Sequence, residues 1–543
     1  MLAPNEAPAL QVIVLGSGGG PLESNTTAFL VRSVASGWSK GSIVAVDAGV
    51  HLSAISRILE ETQPNSLGAD VMLPHTLEKG PFAGLELQNK SALANGARIT
   101  HDLVDTYLIT HPHLDHISGF VVNTAALSGA RPKKLAGLPT TISAFKKHIF
   151  NNVIWPNLSD ENNGVGLVTY MRLVEGGNPA LGEGDGKGYV EVNDGLAVKM
   201  WSVSHGHCME RHSHRGSTSS QGGFGSGGSV DAGRGSLLHS TTVNGTSHIK
   251  NSISNGSSHT SHHNGLVRPS GLINQATALA AQSCECRERI CVYDSSAYFI
   301  RDVATAREIL LFGDVEPDSL SLSPRNHQVW LEAGPKIAQG NLAAIFIECS
   351  YDNSQADERL FGHLKPVYIM EELQALAEQV RAARVDNSVQ RESRKRKREH
   401  NSILTTVKQR KPPPPPFEDQ DPVSPKSMRP VSHVAIATPE GSRTSHISSP
   451  VSELSLLDDV EALPGSLSPL PPAIQNGDTQ THIDSKSDFP LRGVKVVIIH
   501  MKEKFTDEGD VSVTIKKELD ELEAAFKLGC EFIISYSGQS LYL

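Results

Sequence analysis

The sequence predicts one α/β domain interrupted by two long insertions, and three observations point there. Short apolar strands alternate with segments of helical periodicity, polar residues able to bind metal recur where strands end, and composition changes abruptly in two places. At 543 residues the chain could hold several domains of the usual roughly 100–200 residues. Only 38% of it is hydrophobic and Gly and Pro are plentiful, so part of the length is not core. The folded domain is then expected from residues 1–207, 286–385 and 489–543, with insertions at 208–285 and 386–488.

In chain order, 11–15 is a short apolar strand followed by the turn-forming run Gly16-Ser17-Gly18-Gly19-Gly20-Pro21. Residues 27–32 and 43–47 are further strands, the second ending at Asp47-Ala48-Gly49. The stretch 51–61 carries Leu52, Ile55, Ile58 and Leu59 at helical spacing. A strand at 104–110 runs into a His-rich loop; 117–127 reads as a helix and 134–138 as a strand. A long apolar strand, 196–204, leads into Ser204-His205-Gly206. From about 208 to 282 Ser, Gly, Asn, Thr and His dominate, which predicts disorder. Paired strands follow at 297–302 and 308–312, the second leading into Gly313-Asp314, then a strand at 343–347. The helix at 367–384 places Leu373, Leu376, Ala377 and Val380 on one face. The second low-complexity stretch, 386–488, holds the basic run 394–398 and five prolines at 412–416; such a segment buries too little apolar area to offset its chain entropy. A strand at 494–499 ends at His500, a helix at 514–528 is stopped by Gly529, and a last strand at 531–536 closes the domain.

A net charge of −10 argues against wrapping a long phosphate backbone, so no nucleic-acid partner is expected. A small anion remains compatible, because a metal supplies local positive charge. The six cysteines fit a reducing compartment, and Cys284, Cys286 and Cys291 match common zinc frameworks poorly. The N-terminal residues lack a basic region, their apolar run 12–15 is far too short for a signal peptide, and no segment approaches a bilayer span of ~20 apolar residues. The expectation is a soluble, cytoplasmic protein without membrane partners, with the basic run 394–398 as a nuclear-localisation or solvated segment.

The strongest chemical signal is His111-Pro112-His113-Leu114-Asp115-His116. His111 and His113, two apart on a loop leaving a strand, can turn toward one metal; Asp115 and His116 can face a second. Imidazole with carboxylate suits zinc and, less selectively, manganese or iron. His51, His75, His101 and His148 lack a partnered motif and are expected in surface or core roles. His212, His214, His239, His248, His259, His262 and His263 fall in the first insertion and read as solvated.

This run resembles the signature of the metallo-β-lactamase superfamily. The resemblance implies an αββα sandwich and three further ligands at strand ends, for which the sequence offers His205, Asp314 and His500. One metal would be held by His111, His113, His205 and Asp314, the other by Asp115, His116, Asp314 and His500, with Asp314 bridging. His207 competes with His205, which sits directly at the strand end and is preferred. Two such metals ~3.5–4 Å apart can bridge a water, lower its pKa and aim it at a phosphodiester.

The flanks narrow the likeness. The run 110–119, continuing as Phe120-Val121-Val122-Asn123, closely resembles the signature of the class II cyclic-nucleotide phosphodiesterases of the fungal low-affinity type. Val203-Ser204-His205-Gly206 and Ile347-Glu348-Cys349-Ser350 look like that family too, and the likeness covers about 10–210, 290–385 and 490–543. Asn123-Thr124-Ala125 departs from the usual end of the signature. The resemblance implies hydrolysis of 3′,5′-cyclic AMP, and of cyclic GMP as an alternative, to the 5′-monophosphate, which would damp cAMP signalling. Asp115 then serves catalysis as well as metal binding, and His363, in Phe361-Gly362-His363-Leu364, is the candidate proton donor or phosphate ligand. Glu348 is either a carboxylate orienting a ligand histidine or a surface glutamate.

Two rivals share these residues. One is a tRNA 3′-end endonuclease, which tends to carry His-Glu-Ala-Thr where this chain has Ile347-Glu348-Cys349-Ser350. The other is an inactive regulatory protein of the same fold, offering the prolines 412–416 and the Ser-Pro pairs at 424, 449 and 468 to protein partners or kinases. A homo-oligomer is compatible with either.

Overall fold

The computed structural model describes residues 7–63, 72–129, 131–207, 291–407, 489–507 and 509–543. The first insertion, most of the second, Cys284, Cys286, the prolines 412–416 and the Ser-Pro pairs lie outside the described residues.

The N-terminal half supplies β1 (Leu10–Gly16), β2 (Ala28–Ser33), β3 (Ile43–Ala48), α1 (Leu52–Thr62), the small hairpin β4 (His75–Thr76) and β5 (Glu86–Leu87), and α2 (Ala92–Arg98). It continues with β6 (Val104–Leu108), α3 (Leu114–Asn123), β7 (Lys133–Gly137), α4 (Pro139–Ala144) and β8 (Val168–Arg172). Then come β9 (Val190–Glu191), β10 (Leu196–His207), β11 (Val292–Asp302), β12 (Glu308–Phe312), α5 (Asn326–Gln339), β13 (Leu342–Glu348) and α6 (Pro366–Val407). The C-terminal part adds β14 (Lys495–Ile499), α7 (Val511–Phe526), β15 (Glu531–Ile534) and β16 (Ser540–Tyr542).

These elements form two seven-stranded sheets, ordered β16-β1-β2-β3-β6-β7-β8 and β15-β14-β13-β12-β11-β10-β9. In each, an antiparallel half passes into a parallel one: β3, β6, β7 and β8 run parallel in the first sheet, and β12, β13, β14 and β15 in the second. The alternation along β1 shows why the sheets stack. Leu10, Val12 and Val14 face a middle layer shared with Tyr298, Ile300, Leu311, Phe346 and Val497 of the other sheet, while Ile13 and Leu15 face α1. Phe29 meets Phe346 edge-on across this layer, with ring centroids 6.1 Å apart. The outer face of the second sheet is covered by α5, α6 and α7 through Trp330, Leu373, Leu376, Ile515 and Leu519. The result is the expected αββα sandwich of the metallo-β-lactamase fold.

Three expectations need correcting. The helix predicted to stop near 384 continues as a 42-residue α6 through Val407, so the stretch without structure does not begin at 386. No Gly or Pro occurs between 385 and 411, and Arg, Lys, Glu and Gln there favour helix. His205 does not follow β10 but lies within it, because the strand runs on to His207. The strand at 531–534 does not close the domain; β16 follows, crosses to the first sheet and pairs antiparallel with β1, Gln11 opposite Tyr542.

His51, at the start of α1, is a core histidine as expected. It is buried, its Nε2 shares a hydrogen bond with the Tyr107 hydroxyl at 3.1 Å, and its Nδ1 has no partner. Burial, then the charge of Lys133, pushes its pKa down to about 3. Above pH 6.5 the folded and unfolded chains both hold it neutral. Below that value the unfolded chain takes up a proton that the folded chain refuses, so stability falls as pH drops toward 3. The loss from this group at pH 5 is about 2 kcal/mol. In urea unfolding compared at pH 7 and pH 5, wild type should therefore lose about 2 kcal/mol more than His51→Phe. Equal losses would show that His51 is not the group responsible.

Candidate metal centre

The parallel strands of both sheets end at one edge, and the loops leaving them carry the functional side chains. The His-rich run leaves β6 and enters α3 with His113 at its N-cap and Asp115 in the first turn, where a carboxylate is favoured by the helix dipole. On β10 the register with β11 slips between Ser204 and His207, and Gly206 takes φ +73, so the bulge re-aims His205 into the cluster. His207 is left exposed at the strand's end. Asp314 follows β12, and His500 follows β14 with φ +58.

Asp314 is buried at the centre, and its two oxygens face different groups. Oδ2 lies 3.5 Å from Nε2 of both His111 and His205. Oδ1 lies 3.2 Å from Nε2 of both His116 and His500. Asp115 Oδ2 completes the second group, 3.3 Å from His500 Nε2 and 3.8 Å from His116 Nε2. His113 belongs with His111, His205 and Asp314, ligand atoms all within 4.8 Å of one another. Both sets of four expected from the sequence are thereby brought together.

The arrangement fits metal rather than a hydrogen-bond network. Atoms bound to one tetrahedral ion at 2.0–2.2 Å lie about 3.4 Å apart, whereas 3.5 Å is long for an N–H···O bond. The Nε2 atoms of His111 and His116 and Oδ2 of Asp314 are buried without hydrogen-bond partners. Four imidazoles are also held from behind through Nδ1. His116 donates to Asp47 Oδ2 at 2.7 Å and His205 to the Gly362 carbonyl at 2.9 Å. His111 meets Thr110 Oγ1 at 3.1 Å and His500 meets Ser350 Oγ at 3.0 Å. With the proton on Nδ1, each Nε2 offers a lone pair inward, the tautomer a ligand needs.

Asp47, Thr110 and Ser350 are positioning residues the motif reading missed. Asp47, at φ +52 on the end of β3, also accepts from the Thr110 amide and hydroxyl, both at 2.8 Å. The only sequence signal was that it ends a strand, as the ligands do. Glu348 is fully buried rather than a surface residue: it accepts from Val315 N at 2.7 Å and from Ser350 Oγ at 2.7 Å, and both its oxygens lie 3.0 Å from His363 Nδ1. It reaches His500 through Ser350, with His500 Nδ1 4.0 Å from its Oε2, and the site histidine within hydrogen-bond distance of it is His363.

Charge in the metal-free cluster is finely divided. Burial opposes ionisation of Asp314, but His116, His500 and His111 outweigh it and hold its pKa well below the carboxylate range. Burial likewise opposes protonation of His116, yet Asp314 and Asp47 hold its pKa well above the usual value. Burial, then the charge of Asp314, pushes Glu348 up to about 7. Burial pushes His363 down to about 4.

A sequence model of the family described as cAMP phosphodiesterases class-II matches residues 9–178 and 236–422. The chain belongs to the class-II cAMP phosphodiesterases. It is 27% identical over 359 residues, 66% of this chain and 72% of the relative, to the 3′,5′-cyclic-nucleotide phosphodiesterase of Schizosaccharomyces pombe. It is 32% identical over 181 residues to 3′,5′-cyclic-nucleotide phosphodiesterase 1 of Saccharomyces cerevisiae, spanning 28% of this chain and 48% of that one. The crystal structure of unliganded yeast PDE1 shares the fold at TM-score 0.55 and 18% identity, over 99% of this chain and all of that one. Membership makes this chain a metal-dependent hydrolase, which accords with the ligand-like geometry above. Among the described residues no helix is long and apolar enough to cross a membrane.

In this class-II phosphodiesterase Asp47 should matter through His116. Asp47→Ala is expected to leave the fold intact and to weaken metal binding about 10–100-fold, read by competition with a chromogenic chelator. Unchanged affinity would mean that His116 is oriented without it.

Proposed function

We propose that the chain hydrolyses the 3′ ester of 3′,5′-cyclic AMP, and secondarily of cyclic GMP, to the 5′-monophosphate at a pair of zinc ions. The observation that carries this is the division of Asp314, one oxygen to each imidazole group. His111, His113, His205 and Asp314 would hold one ion; Asp115, His116, Asp314 and His500 the other. When bound, the pair supplies Lewis acidity at the phosphoryl group and an activated water. Soft thiolate ligands are absent from both sets, and imidazole-rich sets with carboxylate favour zinc. The relatives' names as 3′,5′-cyclic-nucleotide phosphodiesterases support the substrate class.

The chain's own part is to deliver a proton to the departing 3′-oxygen. His363 and Glu348 are assigned to this step. In the metal-free chain Glu348, raised to about 7, is part-protonated near neutrality, while His363, lowered to about 4, is neutral. A protonated Glu348 donates to His363 Nδ1, which leaves the imidazole proton on Nε2, an atom with no partner among the described residues. Transfer from Nε2 to the leaving oxygen is then matched by transfer from Glu348 to Nδ1, and no isolated imidazolium forms. Asp115, the partly exposed member of the second group, would hold one ion from the side that faces solvent.

Purified protein should convert cyclic AMP to 5′-AMP and stop when a chelator is added. Cleavage of precursor tRNA alone would overturn the reading in favour of the endonuclease. Asp115→Ala should lose one equivalent of metal and nearly all turnover. His363→Ala should retain both equivalents and lose about 10²–10⁴ in kcat. Normal turnover in either variant refutes that residue's role.

A further inference from the structure

Several lysines and arginines in the described parts pair with carboxylates. Lys504 pairs with Asp352, Lys365 with Asp357, and Lys134 with Asp105. Lys502, two residues beyond His500, does not. Its ammonium donates one hydrogen bond, to the Gly19 carbonyl at 3.1 Å, and among the described residues no carboxylate lies within ion-pair reach. Two of its three N–H donors are therefore uncommitted.

The backbone holds Lys502 against the segments that flank His500. Lys502 N donates to the Ser350 carbonyl at 3.1 Å, and Ser350 is the residue that meets His500 Nδ1. Gly19, which accepts the ammonium, donates its own N–H to the Met501 carbonyl at 2.9 Å. The Gly-rich turn lies directly on the His500 ring: a Cβ on Gly19 would stand 2.4 Å from His500 Cε1, so only glycine fits there. Lys502 is thus tied on both sides to residues that touch His500. The same charge contributes, after burial and against Asp314, to the lowering of His363. Side chain and backbone together keep a cation beside a cluster rich in carboxylates without neutralising any of them.

We propose that Lys502 is a substrate-binding residue whose ammonium grips a non-bridging oxygen of the phosphodiester on the His500 side of the centre. This rests on the phosphodiesterase reading above. A phosphodiester brings one negative charge and its transition state spreads more onto the non-bridging oxygens, which an ammonium with free donors can meet by charge-assisted hydrogen bonds. Partial burial makes such a contact worth more than an exposed ion pair.

The test compares full-length, metal-loaded wild type with Lys502→Met, Lys502→Arg and, as a control, Lys504→Met. Three quantities are read: steady-state constants with cyclic AMP, inorganic phosphate affinity by calorimetry, and metal content. Lys502→Met should raise KM about 10–100-fold and weaken phosphate binding by a similar factor, with metal content unchanged. Lys502→Arg should recover most of both losses, and Lys504→Met should lose neither. If phosphate binding in Lys502→Met stays within twofold of wild type, or if the variant loses metal and melts early, the inference is wrong. Calorimetry does not depend on turnover. A wild type inert toward cyclic AMP whose phosphate affinity still depends on Lys502 would defeat the proposed activity and keep the phosphate contact.

Discussion

Everything at this centre turns on one buried carboxylate. Asp314 sits at 1% exposure with an imidazole pair against each oxygen, and a lone carboxylate in such a place would be strongly disfavoured. What makes it tolerable is cationic charge beside it, from protonated His116 in the bare chain or from metal in the loaded one. The partners arrive from both layers. His111, His113, Asp115 and His116 leave the first sheet, while His205, Asp314 and His500 belong to the second. Neither layer can form either set alone, so packing of the middle core and assembly of the site are one event.

The backs of the imidazoles are as ordered as their faces. Asp47, Thr110, the Gly362 carbonyl and Ser350 each meet an Nδ1, and each sits on a strand end or an adjoining loop. Asp47 also clamps the start of the His-rich loop through the Thr110 amide, so one side chain orients His116 and positions the loop. Glu348 plays the corresponding part in the second sheet. It ties the segment after Asp314, through Val315 N, to Ser350 behind His500 and to His363. Two carboxylates outside the ligand sets, one per sheet, thus brace the cluster from opposite sides.

The residues that could be read from sequence were those in a dense local pattern or at the end of a long apolar run. The six-residue motif needed no tertiary information, and the family resemblance, placed on the apolar strands that lead into them, offered His205, Asp314 and His500 as candidates. Asp47 also ends a strand, but its partner is 69 residues away and nothing local marks the pairing. Ser350 stood in a family-like run with no role of its own, because His500, the group it meets, is 150 residues on. Among the elements, α5 was missed because Gly334 and Pro335 interrupt its pattern, although Val329, Trp330, Ala333 and Ile337 bury one face. β16, at three residues, is too short for periodicity and exists only because β1 offers it an edge. α6 was cut short because its later half has no apolar stripe to read, only residues that favour helix.

An anionic substrate must approach a chain whose formal charge is −10. At physiological salt the screening length is about 8 Å, so charge spread over the distant surface does little at the site mouth. What an incoming phosphate meets is set within that radius, and there the pattern is local. The acidic groups are either buried behind imidazoles, as Asp47 and Glu348 are, or turned toward the ligand sets, as Asp115 and Asp314 are. Recognition of the phosphate therefore does not require a basic surface. It requires that the centre's own carboxylates be matched by bound cations, and the inward Nε2 atoms and the divided oxygens of Asp314 are arranged for that.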